Sequence, residues 1–344
     1  MSEIAYTPTT VPPVARPTAT IAAAITAPAA APPAVSIVIP AYNAARYIGE
    51  ALDSVLAQTF ADYEIIVVND GSPDTVELEC ALEPYRGQVR YLVQENGGPG
   101  SARNTAFKAA RGRYLALLDA DDVWEPEYLA VQVSMLERDP TLDVVYSDGI
   151  IFGDGPDVGR KLMEAFPSHG AVTFESVVRA ECTVLICAVA RREAIINVGM
   201  FDETLRAAED FDLWLRVIQG GGRIAYHRQP LARYRRVQGS RSSDPIKPYE
   251  QVLRVFEKAS QTPTLTASER ETLRGENDRF RALLRLAEGQ QALARRDVRA
   301  AIDGLSEANT YFRKSKLRLA LVLLRLAPQL FLRVYGMRGR RTAV

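Results

Sequence analysis

The chain has 344 residues, enough for one large domain or two ordinary ones with real cores. Lysine plus arginine and aspartate plus glutamate number 42 each, so no global charge points to nucleic acid. Three cysteines are too few for a disulfide framework, two histidines argue against a histidine-rich zinc site, and no long apolar run would span a membrane as an ordinary helix. A soluble, cytosolic α/β enzyme or binding protein is expected, with any metal held by carboxylates.

Residues 1–34 are mostly alanine, proline and threonine, with two charges, Glu3 and Arg16. Seven prolines and few bulky apolar groups cannot offset the entropy of folding, so a disordered leader is expected. It lacks the basic start and unbroken apolar stretch of a secretory signal. The globular part begins at Val35. Val35-Ser36-Ile37-Val38-Ile39 is a β-branched run closed by Pro40, which predicts a buried strand. Ile48, Leu52, Val55, Leu56 and Thr59 then recur at helical spacing.

A second strand is predicted over 64–68, ended by the turn residues Asn69-Asp70-Gly71-Ser72-Pro73. A helix over 75–83 leads to a third strand over 89–93, and the loop 96–100 opens a helix capped by Ser101. Two more strands are predicted over 114–118 and 143–147. Apolar strands alternating with helices imply the α/β class, a mainly parallel, Rossmann-like sheet covered on both faces. Beyond Gly153 the pattern loosens up to about residue 243. Residues 246–312 read as all-helical, with a single helical hairpin within Ala287 to Ala308.

In such sheets ligands collect beyond the carboxyl ends of the strands. Three of those ends are polar: Tyr42-Asn43, Asn69-Asp70 and Asp119-Ala120-Asp121-Asp122. The first turn, Pro40-Ala41-Tyr42-Asn43, has none of the glycines a dinucleotide pyrophosphate needs, and no P-loop pattern occurs. A nucleotide bound here would need a divalent cation on carboxylates. Asp119 to Asp122 follow an apolar strand directly, and Mg²⁺ or Mn²⁺ prefers one or two carboxylates with phosphate oxygens and water. The plainer alternative is an acidic turn capping a helix that starts near Trp124-Glu125-Pro126.

Asp70 either accepts a hydrogen bond from the ring N–H of a base or is an ordinary Asp-Gly turn residue. Tyr42 either stacks on that base or is a half-buried aromatic. Gly97 to Asn104 offer backbone N–H groups, a helix N-terminus and the cation Arg103, all suited to an anionic ligand. Phe211, Trp214, Leu215 and Ile218 form a helical stripe, which puts Glu209-Asp210 at the helix N-terminus. These carboxylates are either caps or a general base at the mouth of a cleft. Cys182 and Cys187 read as buried thiols and His227, beside Tyr226, as structural.

Taken in order, Val35 to Asn43, Ser54-Val55-Leu56-Ala57-Gln58-Thr59, Val68-Asn69-Asp70-Gly71-Ser72, Ala102-Arg103-Asn104, Leu118-Asp119-Ala120-Asp121-Asp122 and Glu209-Asp210 resemble family 2 glycosyltransferases. The resemblance covers roughly residues 35–240. It implies the GT-A fold, inversion at the anomeric centre, and a nucleotide-sugar donor, usually a UDP-sugar, bound with Mg²⁺ or Mn²⁺. Donor contacts are implied at Pro40, Ala41, Tyr42, Asn43, Asp70, Arg103, Asp119, Ala120 and Asp121. Tyr42 would stack near the base, Asp70 bind its ring edge, Asp119 lie near ribose and metal, and Asp121 ligate the metal directly. Arg103 would help stabilise the departing diphosphate, and Asp210 would be the catalytic base. Residues 35–150 would then bind the donor, and 151–245 would carry the acceptor side and the base.

Relatives often carry a histidine shortly after a Tyr-Arg pair late in the domain. Tyr234-Arg235-Arg236-Val237-Gln238-Gly239-Ser240 has none, which leaves Arg235, Arg236 or Gln238 for the phosphates, or a loop that closes differently.

From Ala308 onward there are nine lysines and arginines and no acid. Lys314, Arg318, Arg325 and Arg333 fall within a roughly 100° arc of an ideal helix, among Leu317, Leu321, Leu324, Leu326, Phe331 and Leu332. Residues 313–344 are therefore expected to form a basic amphipathic tail on an anionic membrane, kinked or restarted at Pro328. The alternatives are packing on the protein's own helical region and docking of a partner.

The expected activity is metal-dependent hexosyl transfer to a glycan or lipid-linked glycan in cell-surface or exported polysaccharide synthesis. The expected location is cytoplasmic, peripheral at the inner face of the membrane. A catalytically weak nucleotide-sugar-binding scaffold of a polysaccharide assembly complex is the alternative. A nucleotidyltransferase would carry a glycine-rich loop after the first strand, which this chain lacks.

Overall fold

The computed structural model describes residues 31–185, 187–237 and 246–339, with side chains up to Arg333. All but the last four residues of the expected leader lie outside these, as does Gln238. The first half is a run of strand–helix units. β1 (Val35–Ala41), α1 (Ile48–Leu56), β2 (Tyr63–Asp70), α2 (Thr75–Leu82), β3 (Val89–Gln94), α3 (Pro99–Ala109) and β4 (Tyr114–Leu117) follow one another. These four strands are mutually parallel, with β1 between β2 and β4.

Successive side chains of a strand point to opposite faces, so apolar residues at every position predict two covered faces. Both are covered. Val38, Ile66, Val68, Leu115 and Leu117 pack with Ala102, Ala106 and Phe107 of α3. Ile37, Ile39, Ile65, Val67 and Ala116 pack with Ile48, Leu52 and Val55 of α1 on the other side.

Two local expectations are corrected. Pro40 does not close β1, which runs on to pair Pro40 with Val68 and Ala41 with Asn69. β4 stops opposite Val38, so at Pro40 only β2 lies alongside and a residue without an N–H is tolerated. Ser101 does not cap α3 either. The helix starts at Pro99, whose fixed φ suits a first helical position, after Gly98 at φ +87°.

The second half departs from the parallel plan. It contains β5 (Val123–Trp124), α4 (Tyr128–Arg138), β6 (Val144–Gly153), α5 (Leu162–Ala165), α6 (Phe174–Val178), β7 (Ala188–Arg191), α7 (Arg192–Asn197), α8 (Glu209–Gln219) and β8 (Ile224–Arg236). The helix after the aspartates thus begins at Tyr128, because Val123 and Trp124 pair with β8 instead. The eight strands lie in the order β3-β2-β1-β4-β7-β6-β8-β5. β7 is antiparallel to both neighbours, β6 and β8 are parallel, and β5 is antiparallel to β8. Cys182 and Cys187 are buried, as expected.

α9 (Lys247–Ser260), α10 (Ala267–Ala294), α11 (Val298–Phe312), α12 (Ser315–Leu326) and α13 (Pro328–Gly339) complete the chain. Packing runs straight across residue 246. Val255, Phe256 and Ala259 of α9 share a core cluster with Leu213, Trp214 and Val217 of α8. Lys258 adds ion pairs to Asp202 at 2.6 Å and Asp212 at 2.8 Å. α10 and α11 form the expected hairpin, and their backbones touch. A Cβ on Gly304 would lie 2.8 Å from the Arg285 carbonyl oxygen and 3.0 Å from the Gly289 nitrogen.

Candidate active site

β1, β2 and β4 end on one edge of the sheet, and each delivers a sequence-predicted residue there. Pro40 and Ala41 end β1, and Ala41 is buried. Tyr42 is 46% exposed, free to meet a ligand, and Asn43 turns the chain at φ +53°, a conformation asparagine tolerates. This turn is fastened to the next strand end. The Asn43 N–H donates to Ser72 Oγ at 2.6 Å, and the Ala45 N–H donates to Asp74 Oδ2 at 2.9 Å.

Asp70 ends β2, buried, and is already well used. Its carboxylate accepts hydrogen bonds from the N–H groups of Gly97 (2.7 Å) and Gly98 (2.8 Å) and from Gln94 Nε2 (2.8 Å). Asn96 Nδ2 donates to the Asp70 carbonyl oxygen at 2.9 Å. The glycine-rich loop is therefore folded around Asp70. A Cβ on Gly71 would stand 2.7 Å from the Asn96 nitrogen, so loop and turn are in backbone contact.

Arg103, on α3, is 4% exposed. Its Nη2 donates to Asp119 Oδ1 at 2.6 Å and its Nη1 to Glu209 Oε1 at 2.9 Å. Burial alone would favour loss of its proton, but Asp119 and Glu209 outweigh that and hold the guanidinium charged. The sequence offered Arg103 as a cation for an anionic ligand; in the structure both terminal nitrogens are spent on carboxylates. The neighbouring Asn104 ties the same helix to the segment before α8. It donates to the Phe201 carbonyl (2.9 Å) and Glu203 Oε1 (2.9 Å) and accepts from the Phe201 N–H (2.9 Å).

Asp210 follows Glu209 in the first turn of α8, entered through Ala208 at φ +58°. Its Oδ1 accepts the Phe211 N–H at 2.8 Å. Burial and the adjacent Glu209 push its carboxyl up to about 6, against a pull downward from Arg103. A half-buried carboxylate with that affinity for a proton suits a general base near neutral pH.

Asp119, Ala120, Asp121 and Asp122 form the loop after β4. Ala120 is buried, and Asp119 keeps part of its carboxylate in solvent beside the Arg103 contact. Burial and Asp119 push the Asp121 carboxyl up to about 6, and Asp122 is pushed well above the usual carboxylate range by burial with Asp119 and Asp121. The loop is pinned by Arg235. The Arg235 N–H donates to Asp122 Oδ1 (2.8 Å), Nε to the Asp121 carbonyl (2.7 Å) and Nη2 to Glu50 Oε2 (2.7 Å). Its guanidinium stacks over Tyr47 at 4.8 Å and Phe152 at 4.2 Å. Arg236 instead lies 5.6 Å from the Tyr234 ring and 5.9 Å from Phe166, with no carboxylate partner among the described residues.

Asp121 and Asp122, buried and crowded by the charge of Asp119, both hold their protons more tightly than usual and call for a cation. Among the described residues no three His, Cys, Asp or Glu side chains are grouped to cage one. Asp119 and Asp121 are instead the one or two carboxylates that Mg²⁺ or Mn²⁺ accepts when phosphate oxygens complete the shell, so these residues fit such an ion.

Sequence reasoning missed three residues of this network. Glu209 was visible only as a cap or as half of a general-base pair, Asn104 only as part of a motif, and Arg235 only as a candidate phosphate ligand. The available signal was Arg103 itself: a buried guanidinium presents more donors than one carboxylate can take.

The sequence model described as glycosyl transferase family 2 matches residues 36–199. Glycosyltransferase RP339 of Rickettsia prowazekii is 38% identical over 193 residues, 54% of this chain and 58% of that protein. Two further Rickettsia relatives are longer still, so that the chain spans 32% and 28% of their length. The Escherichia coli protein UDP-Glc:alpha-D-GlcNAc-diphosphoundecaprenol beta-1,3-glucosyltransferase WfgD is 31% identical over 215 residues, 62% of this chain and 81% of WfgD. Among solved structures, the mannosyltransferase PcManGT from Pyrobaculum calidifontis, in complex with GDP-Man and Mn²⁺, superposes with a TM-score of 0.58 at 20% identity, over 89% of this chain and 87% of that one.

Proposed function

The chain belongs to the family 2 glycosyltransferases, with their GT-A fold, and from that premise we propose that it moves a hexose from a nucleotide-diphosphate sugar, a UDP-sugar, to a hydroxyl of a glycan or lipid-linked glycan in cell-surface polysaccharide synthesis. The observation that supports this most is the Arg103 bridge, which draws Asp119 and the Glu209-Asp210 pair, about ninety residues apart, into one site.

Tyr42, with Pro40, Ala41 and Asn43, forms the base-side wall, and Asp70 holds the loop 96–98 that closes it. Asp210 takes the proton of the acceptor hydroxyl. That oxygen attacks the anomeric carbon in line as the bond to the diphosphate oxygen breaks, so configuration inverts and the nucleoside diphosphate leaves. Asp121 and Asp119 would hold Mg²⁺ or Mn²⁺, which supplies positive charge opposite the diphosphate. Arg103 keeps Asp119 oriented, and Arg236, rather than the pinned Arg235, is the arginine left for the phosphates. A lipid-linked acceptor would be met at the inner face of the membrane, where residues 313–344 carry the charge for peripheral contact.

WfgD, named for a UDP-sugar donor and a diphospholipid acceptor, supports these choices. Calorimetry of the protein against UDP, GDP and dTDP, each with Mn²⁺ and with EDTA, tests them. UDP should bind in a metal-dependent way, lost in Asp121→Ala and kept in Asp210→Asn. Binding to none of the three would overturn the reading in favour of a scaffold.

A further inference from the structure

We propose that α12 is a two-faced helix that docks the protein on an anionic lipid bilayer through Leu319, Val322, Leu323 and Leu326. Its inner face is accounted for: Leu321 and Leu324 are buried, with Leu317 alongside, against Leu293 of α10 and Ala301 and Leu305 of α11. The packing alternative expected from the sequence therefore holds for those leucines, and for Phe331 and Leu332 of α13. The outer face has no such cover among the described residues. Leu319 is 61% exposed, Val322 41%, Leu323 46% and Leu326 79%, and Leu330 of α13 adds another at 63%.

These positions, three, four and seven residues apart, share one face of a helix that turns about 100° per residue, opposite the Leu317, Leu321 and Leu324 face. Leucines on such a stripe cost free energy in water and gain nothing from the protein beneath them.

Charge names the occupant. Lys316 flanks the stripe on one side and Arg318 and Arg325 on the other, all exposed. No acid follows Glu307, while nine lysines and arginines do. A second protein surface would have to be both apolar and strongly acidic to match. An anionic bilayer offers both properties at once, acyl chains beneath a negative headgroup layer, and a helix of this kind lies in that interface. No helix among the described residues is long and apolar enough to cross a membrane. The α10–α11 hairpin, whose backbones touch at Gly289 and Gly304, is the platform that holds the inner face of α12. This docking does not depend on which sugar or nucleotide the site takes.

The test is sedimentation of the full chain with vesicles of phosphatidylglycerol and phosphatidylcholine, against vesicles of phosphatidylcholine alone. Binding should require the anionic lipid and fall steeply when salt is raised to roughly 0.5 M. The triple variant Leu319→Gln, Leu323→Gln, Leu326→Gln alters only exposed side chains. It should melt like the wild type and bind at least about tenfold more weakly. A Val322→Trp variant should show a blue-shifted emission on the same vesicles. Absence of sedimentation at low salt, or undiminished sedimentation of the triple variant, overturns the proposal. So does a vesicle-free dimer, seen by sedimentation equilibrium, that the three glutamines abolish.

Discussion

At the carboxyl edge of the sheet the protein buries charge; on α12 it exposes leucine. Arg103 is 4% exposed between two carboxylates, whereas Leu326 is 79% exposed on a stripe flanked by lysine and arginine. Neither arrangement is what folding alone favours. A buried ion pair repays its desolvation poorly, and an apolar stripe in water repays nothing. The two regions differ in what could complete them. At the edge the carboxylates of Asp119, Asp121, Asp122, Glu209 and Asp210 outnumber the two arginines that hold them, Arg103 and Arg235, the condition for receiving a cation with a diphosphate. The helix is anchored on one face only, the condition for receiving a surface.

The sharpest break of this contrast is chemical. Asp210→Asn should lower kcat by about 10²- to 10⁴-fold, the usual worth of a positioned proton acceptor, with nucleotide affinity nearly unchanged. Product formation on a soluble acceptor would show this, and the triple glutamine variant of α12 should match the wild type there. Equal rates for wild type and Asp210→Asn would remove Asp210 as the base.

Next in size is Arg103→Ala, which leaves Asp119 and Glu209 facing each other without their shared cation. Breaking such a buried arrangement costs about 3–5 kcal/mol, read as a lower urea midpoint. Lysine at 103 cannot fork to both carboxylates, so Arg103→Lys should recover only part of the loss. A variant as stable as the wild type would mean the bridge is not what draws the two motifs together.

How much of this was legible beforehand follows from what each segment is made of. β1 to β4 and their helices announce themselves because the strands are largely apolar, β3 least so, and each is punctuated by Gly, Pro, Asn or Asp. The residues at the strand ends, Tyr42, Asp70 and Asp119, were legible for the same reason: a polar group directly after a buried strand must sit at the sheet edge. What the sequence hid was pairing at a distance. Nothing local tells that Arg103 reaches Glu209 as well as Asp119, that Asp70 is wrapped by Gly97 and Gly98, or that Arg235 grips the carbonyl of Asp121. β7 was hidden because Ala188 to Arg191 is too short to carry a period. On α12, both faces are leucine-rich, so composition could not say which leucines were packed; only contact with α10 and α11 separates Leu321 from Leu323.

A smaller effect tests the platform under that helix. Gly304→Ala puts a methyl group against the Arg285 carbonyl and the Gly289 nitrogen, both backbone atoms that cannot move aside alone. Overpacking of this kind costs about 1–3 kcal/mol. Thermal unfolding should fall accordingly, and vesicle binding should weaken with it while nucleotide binding holds.

The smallest effect, and the one that separates the regions most cleanly, is acid. The Asp210 carboxyl is pushed up to about 6 by burial and by Glu209. A base works only without its proton, so kcat/KM should be level above that value and fall toward tenfold per pH unit below it. Glu209→Gln removes the neighbouring negative charge and frees Arg103 from one partner, and both changes favour the ionised base. The falling limb should therefore move to lower pH, and a limb that stays in place would assign it to another group. α12 carries only lysine and arginine among its ionisable side chains, and neither histidine of the chain lies near it in sequence. Its binding to phosphatidylglycerol vesicles should consequently stay constant from about pH 5 to 8, a range that includes the acid limb on which transfer falls. Parallel loss of both would mean that acid acts on a structure the two regions share, and the contrast between a charge-poised edge and a lipid-facing helix would have to be abandoned.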